Sequence, residues 1–239
     1  MNNLQETWVY LSSSPLLHLT LTLLAFVGAN TIFRKLKFNP LANPVLISVV
    51  LLVGLLVITD TSYQTYFEGA QFVHFLLGPA TVALAIPLYR QFERVKKSAI
   101  AIVVSVLFGS CAAILSAVAI AWVMGAQTIS VISLAPKSIT APVAMGVSEK
   151  LGGLPSLTAV FVILTGICGA MLGPVVLNVL KITDWSARGL AMGVASHGIG
   201  TARALQVNET AGAFAGLAMG LNALATAVLL PLVWRLFFS

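Results

Sequence analysis

Charge is the scarcest property of this sequence: 8% of its 239 residues are Asp, Glu, Lys or Arg, against roughly 25% in soluble domains. A water-soluble fold with so little charge would expose large apolar patches and precipitate. Acidic residues are rarest, the full set being Glu6, Asp60, Glu68, Glu93, Glu149, Asp184 and Glu209. They are scattered, which argues against hydrolysis by a close pair of carboxylates. Cysteine is nearly missing too. Cys111 and Cys168 lie in apolar runs without metal-ligand spacing. They read as small packing residues and imply neither a disulfide framework nor a metal site. The chain has no G-x-S-x-G, no H-E-x-x-H and no phosphate-cradling G-x-x-x-x-G-K-[ST]. Nothing marks an enzyme or a cofactor site. The opening "MNNLQETWVY" carries Glu6 but no Lys or Arg, so the basic leader of a cleavable signal peptide is not expected.

What the chain has instead is apolar length. Hydrophobic residues make up 59% of it, and mean hydropathy is +1.00. A membrane-crossing helix needs about 20 mostly apolar residues, and 16–33, 42–59, 98–124, 155–180 and 211–234 are continuous candidates. Three further stretches are apolar but interrupted: 70–89, 129–147 and 189–206. Gly78-Pro79, Pro136 with Pro142, and Gly198 with Gly200 are the expected helix breakers. Non-helical backbone at membrane depth survives only where protein or a watery cavity covers it. The net charge of +6 reflects basic clusters at segment ends (Arg34, Lys35, Lys37, then Arg90, Arg94, Lys96, Lys97) rather than a nucleic-acid surface. By the positive-inside rule the N-terminus lies outside, residue 37 inside, Asp60–Glu68 outside and Arg90–Lys97 inside. If 129–147 dips in and returns, Lys181 and Arg188 fall inside; if it crosses, they fall outside. The basic count favours the dip.

A shift of 57 residues aligns Pro79 with Pro136, Thr81 with Ser138, Gly109 with Gly166 and Cys111 with Cys168. A third unit fits more loosely at about 61, matching Thr140-Ala141 with Thr201-Ala202. Each unit reads as an interrupted segment followed by a long Gly-containing helix, an organisation found in secondary transporters. Small-residue ridges in "GICGAMLG" and "GAFAGLAMG" favour close helix packing, within one subunit or between copies. The expected fold is an all-α polytopic membrane bundle of about 7–8 membrane segments, several discontinuous or re-entrant. Residues 1–68 would form N-terminal scaffold helices, and 69–239 the repeat units of a single domain.

Lys137 and Arg203 are the basic residues that sit within apolar stretches rather than at their ends. A charge at the bilayer centre costs at least about 2.5–3.5 kcal/mol, so such residues face the bundle interior and mark a pathway, unless they snorkel or pair structurally. Lys137 comes with Pro136, Ser138 and Thr140; Arg203 comes with Ser196, His197, Gly198 and Thr201. Positive charge, hydroxyls and freed backbone N–H groups suit a small anion, a carboxylate above all. Thr81, in the first broken segment, is a candidate cavity wall. His197 either couples transport to a proton or hydrogen-bonds across helices. Asn222 is read as bonding to a neighbouring helix.

The stretches "LLGPATVALAIPLY" (76–89), "LAPKSITAPVAMGV" (134–147), "LTGICGAMLGP" (164–174) and "RGLAMGVASHGIGTARA" (188–204) resemble the LrgB/CidB family from about residue 15 onward. The resemblance implies a bacterial inner-membrane protein encoded beside a smaller, holin-like LrgA/CidA-type partner. The family's plant branch is a chloroplast-envelope protein that moves glycolate and glycerate. Bacterial members are described as antiholin-like regulators of murein hydrolase export, and some as moving pyruvate and related short acids. Two functions are therefore expected. One is a secondary transporter of small monocarboxylates, with proton coupling and an elevator-like motion as the options to test. The other is an antiholin-like regulator acting through its membrane partner. The expected assembly is a homo-oligomer, a dimer first, in the lipid bilayer.

Overall fold

A computed structural model describes residues 14–36, 39, 42–76, 79, 82–83 and 85–238. Thr81 lies outside the described residues, with Gly78 beside it. Among the described residues there are eleven helices and no strand. The chain divides into two compact units, residues 1–83 and 84–239, each taken by itself.

In the first unit, α1 (Pro15–Lys35) packs against α2 (Pro44–Ile58) and α3 (Tyr63–Phe75). Proline opens both α1 and α2, where its missing N–H is no loss. Asn43 caps α2 by accepting from the amides of Val45 and Leu46 at 2.9 and 3.2 Å. Helix α3 begins at Tyr63, inside the stretch that hydropathy reads as an outside loop. A local cap explains the start: Ser62 Oγ accepts from Thr65 N at 3.1 Å and pairs with Thr65 Oγ1 at 2.8 Å. His18 is buried edge-on to Tyr66, with ring centroids 5.8 Å apart.

The second unit holds α4 (Ala85–Arg90), α5 (Phe92–Lys97), α6 (Ala99–Val123), α7 (Thr128–Leu134), α8 (Ala141–Lys150), α9 (Pro155–Val179), α10 (Trp185–Val207) and α11 (Glu209–Phe238). Four helices, α1, α6, α9 and α11, are long and apolar enough to cross a membrane. Helix α2 is apolar but has 15 residues, about 22 Å at 1.5 Å per residue, short of a ~30 Å hydrocarbon core. The full spans among the described residues are thus fewer than the 7–8 segments expected, because the interrupted stretches come as short halves. Ile100, Phe108, Leu224 and Val228 face outward, an apolar exterior suited to lipid.

Helix α11 is the centre of this unit and packs on α4, α6, α8 and α10. One cluster joins Ile102 and Val106 of α6, Val194 of α10, and Phe214 and Ala218 of α11. A second joins Ile114 of α6, Ala135, Val147 of α8 and Leu230 of α11. Hydroxyls pin the start of α9 to its neighbours. Ser133 Oγ accepts from Leu154 N at 2.9 Å, and Thr158 Oγ1 donates to Ser148 Oγ at 2.7 Å.

Helix α10 is two helices that double back. A Cβ on Gly200 would strike Ser196 Cβ and the Met192 carbonyl. In a straight helix residues eight apart are about 12 Å from one another. The register against α11 reverses across the same point. Gly189 lies on Ala211 and Gly193 on Ala215, whereas Leu205 lies on Gly212 and Thr201 reaches Met219. The first leg therefore runs parallel to α11 and the second leg antiparallel.

Candidate functional site

The first break lies between α7 and α8. Pro136 and Pro142 bracket a turn that holds Lys137, Ser138 and Thr140. Pro142 has no N–H, so the Ser138 carbonyl lacks the donor four residues ahead that a helix would give it. Asn222 supplies one instead, its Nδ2 donating to Ser138 O at 3.2 Å. Thr140 is the residue before α8, with no side-chain capping bond. Lys137 Nζ donates to Ser138 Oγ at 3.2 Å. The lysine also lines an open cleft of about 430 Å³ with Thr165, Cys168 and Gly169 of α9 and Ala195 of α10.

The second break is at Ser196 (φ −133°, ψ 15°) and His197 (φ 40°, ψ −133°). The sequence points to Gly198 and Gly200 as the breakers, but the turn falls just before them. His197 takes the positive φ, a conformation that costs a non-glycine residue of order 1–3 kcal/mol. One tertiary and one local hydrogen bond hold it there. His197 Nε2–H donates to Val162 O at 2.9 Å, and Thr201 Oγ1 donates to His197 O at 2.8 Å. Gly166 of α9 leaves the room the imidazole fills. The non-helical pair interrupts the ladder that would join Val194 O to the Gly198 N–H, and Asn222 Nδ2 donates to Val194 O at 2.9 Å.

Ser196 is fully buried, and among the described residues its hydroxyl has no hydrogen-bond partner. It lies against Gly169, where a Cβ would overlap Ser196 Oγ. Gly169 also lines the Lys137 cleft, which brings the two breaks to one place. Gly198 faces nearly open space, with Met219 Sδ 3.8 Å from where its Cβ would stand. Arg203 lies elsewhere. It lines a small cavity of about 50 Å³ between the legs of α10, with Trp185, Arg188 and Met192. Arg188 there donates to Ile182 O and Asn178 Oδ1 at 2.8 and 2.9 Å and stacks over Trp185. Lys137 and Arg203, expected to flank one space, line separate cavities.

The model of the LrgB-like family matches residues 22–236, and full-length relatives agree with it. This chain belongs to the LrgB-like family. It is 39% identical over 213 residues to the uncharacterized protein YwbG of Bacillus subtilis (strain 168), covering 89% of this chain and 94% of the relative. It is 35% identical over 222 residues to the holin-like protein CidB of Staphylococcus epidermidis, covering 93% and 96%. It is 34% identical over 223 residues to the holin-like protein CidB of Staphylococcus aureus (strain Mu50), covering 93% and 97%. No solved structure matches. With four apolar helices of crossing length, this LrgB-like chain is a membrane protein.

Sequence reasoning singles out Lys137, Ser138, Ser196 and His197 and gives less weight to the residues that bond to them. Asn222 joins both breaks, and Ser110 Oγ donates to Asn222 Oδ1. An Asn and a Ser inside otherwise apolar helices were the available signal. Gly169, read as part of a packing ridge, makes room for Ser196.

Proposed function

We propose that this LrgB-like chain is a secondary transporter of small monocarboxylate anions of the glycolate, glycerate, pyruvate or lactate type. The observation that carries the reading is the cleft where Lys137 meets the two helix breaks. Lys137 of the first break and Ala195, next to the second, line it, the buried Ser196 hydroxyl lies behind Gly169 of its wall, and among the described residues no carboxylate lines it. That chemistry favours a small anion. In this reading Lys137, Ser138, Thr140 and Ser196 meet the carboxylate, and Pro136 and Gly198 shape the backbone around it. His197 and Thr201 fix the second turn. With Nε2 committed to Val162 O, His197 would take a proton at Nδ1. The two broken segments are re-entrant in this account, α7–α8 from one face and α10 from the other, and they move together against a scaffold. Arg203 sits apart from the cleft and supports the second segment.

The relatives favour a second reading more directly. Two of them are named holin-like protein, which fits an antiholin-like regulator of murein hydrolase export working through an LrgA/CidA-type partner. On either reading the chain sits in a bacterial inner membrane, as a homodimer and with that partner. Uptake of radiolabelled pyruvate and glycolate into proteoliposomes, with and without the partner, separates the two. Saturable uptake that responds to a pH gradient, and loses that response in His197→Gln, supports proton-coupled transport. No uptake of any short acid under any gradient, together with altered autolysis in cells lacking the protein, supports the regulator.

A further inference from the structure

Asn222 is completely buried in the middle of α11, and its carboxamide bonds three other elements. Its Oδ1 accepts from Ser110 Oγ of α6. Its Nδ2 donates one hydrogen to Ser138 O and the other to Val194 O. The amide orientation is fixed by chemistry, because both carbonyls can only accept and a hydroxyl can donate to the oxygen. These two carbonyls are not arbitrary partners. Pro142 deprives Ser138 O of its helical donor, and the Ser196–His197 turn interrupts the ladder at Val194 O. Each break exposes one backbone acceptor in the interior, and a single side chain satisfies both. An unpaired buried carbonyl is costly, so each turn needs this carboxamide, and through it needs the other.

We infer that Asn222 is a positioning residue that clamps the tips of the two broken segments into one body, so that both halves of the cleft open and close together. The clamp rests on the anion-site reading only for its purpose; the coupling itself is a claim about structure. A glutamine would reach too far, and a leucine keeps the approximate size while losing both donors. Two tips held only by general packing would loosen separately. Two tips sharing one carboxamide loosen as a pair.

Hydrogen–deuterium exchange on the full chain in lipid nanodiscs tests this without requiring transport. In Asn222→Leu, the amides of 137–141 and of 195–200 should both exchange roughly tenfold faster or more, with α9 and the body of α6 unchanged. Ser110→Ala, which removes only the anchor on Oδ1, should give a smaller rise in the same two peptides. It serves as the test if the leucine variant does not fold. Faster exchange at one tip alone, or at neither in a folded variant, would overturn the clamp. In proteoliposomes, Asn222→Leu should raise the concentration of pyruvate needed for half-maximal uptake more than it lowers the maximal rate. Wild-type protein that carries no anion would sink the transport reading and leave the exchange result standing.

Discussion

At the scale of single residues, the site depends on positions where something small lets something polar come close. Gly169 has no Cβ because Ser196 occupies that space. Gly169→Ala should therefore destabilise the protein by about 1–3 kcal/mol, as overpacking does. The double variant Gly169→Ala/Ser196→Gly should recover most of the loss in thermal unfolding in detergent; additive losses would contradict the contact. His197 poses a different test, since its φ of 40° belongs to glycine's range while its ring holds Val162 O. His197→Ala loses the bond and keeps the backbone strain; His197→Gly loses the bond and relieves it. The glycine variant should be the more stable of the two by about 1 kcal/mol, read as the difference in unfolding midpoint.

At the scale of elements, the second unit is built from helices that stop partway and turn. Ala135 and Val147 share one cluster with Ile114 and Leu230, and Ser133 and Ser148 both reach the start of α9. If α7 and α8 dip and return, cysteines placed at Ala126 and Gly152 should react with a membrane-impermeant maleimide from the same side. Cysteines at Ile182 and Asn208, which flank α10, should share the opposite side. Reaction of either pair from both sides would refute re-entrance. Much of this organisation was legible beforehand, because length and apolarity define α6, α9 and α11 to within a few residues, and prolines marked the first turn. The second turn was misplaced by one or two residues. Glycine is the residue that tolerates such backbone locally, but the tertiary bond His197 makes to Val162 O and the local one it accepts from Thr201 hold it there instead. Arg203 was grouped with Lys137 because both are cations in apolar runs. Sequence spacing does not reveal that α10 folds back, and that fold places Arg203 beside Arg188.

At the scale of the whole molecule, family membership and apolar helices establish a membrane protein, and the cleft at Lys137 is what suggests work beyond assembly. The transport and regulator readings differ in what they require of that lysine. A regulator acting through helix contacts has no use for a cation lining a cleft, whereas an anion site loses its main attraction without it. The decisive measurement is uptake of radiolabelled pyruvate and glycolate into proteoliposomes by wild type and by Lys137→Gln, each shown to be folded and equally incorporated. The account predicts saturable uptake by the wild type and at least a tenfold loss in the variant, as expected when about 1.4 kcal/mol or more of binding is removed. Wild-type uptake that Lys137→Gln retains in full would contradict it.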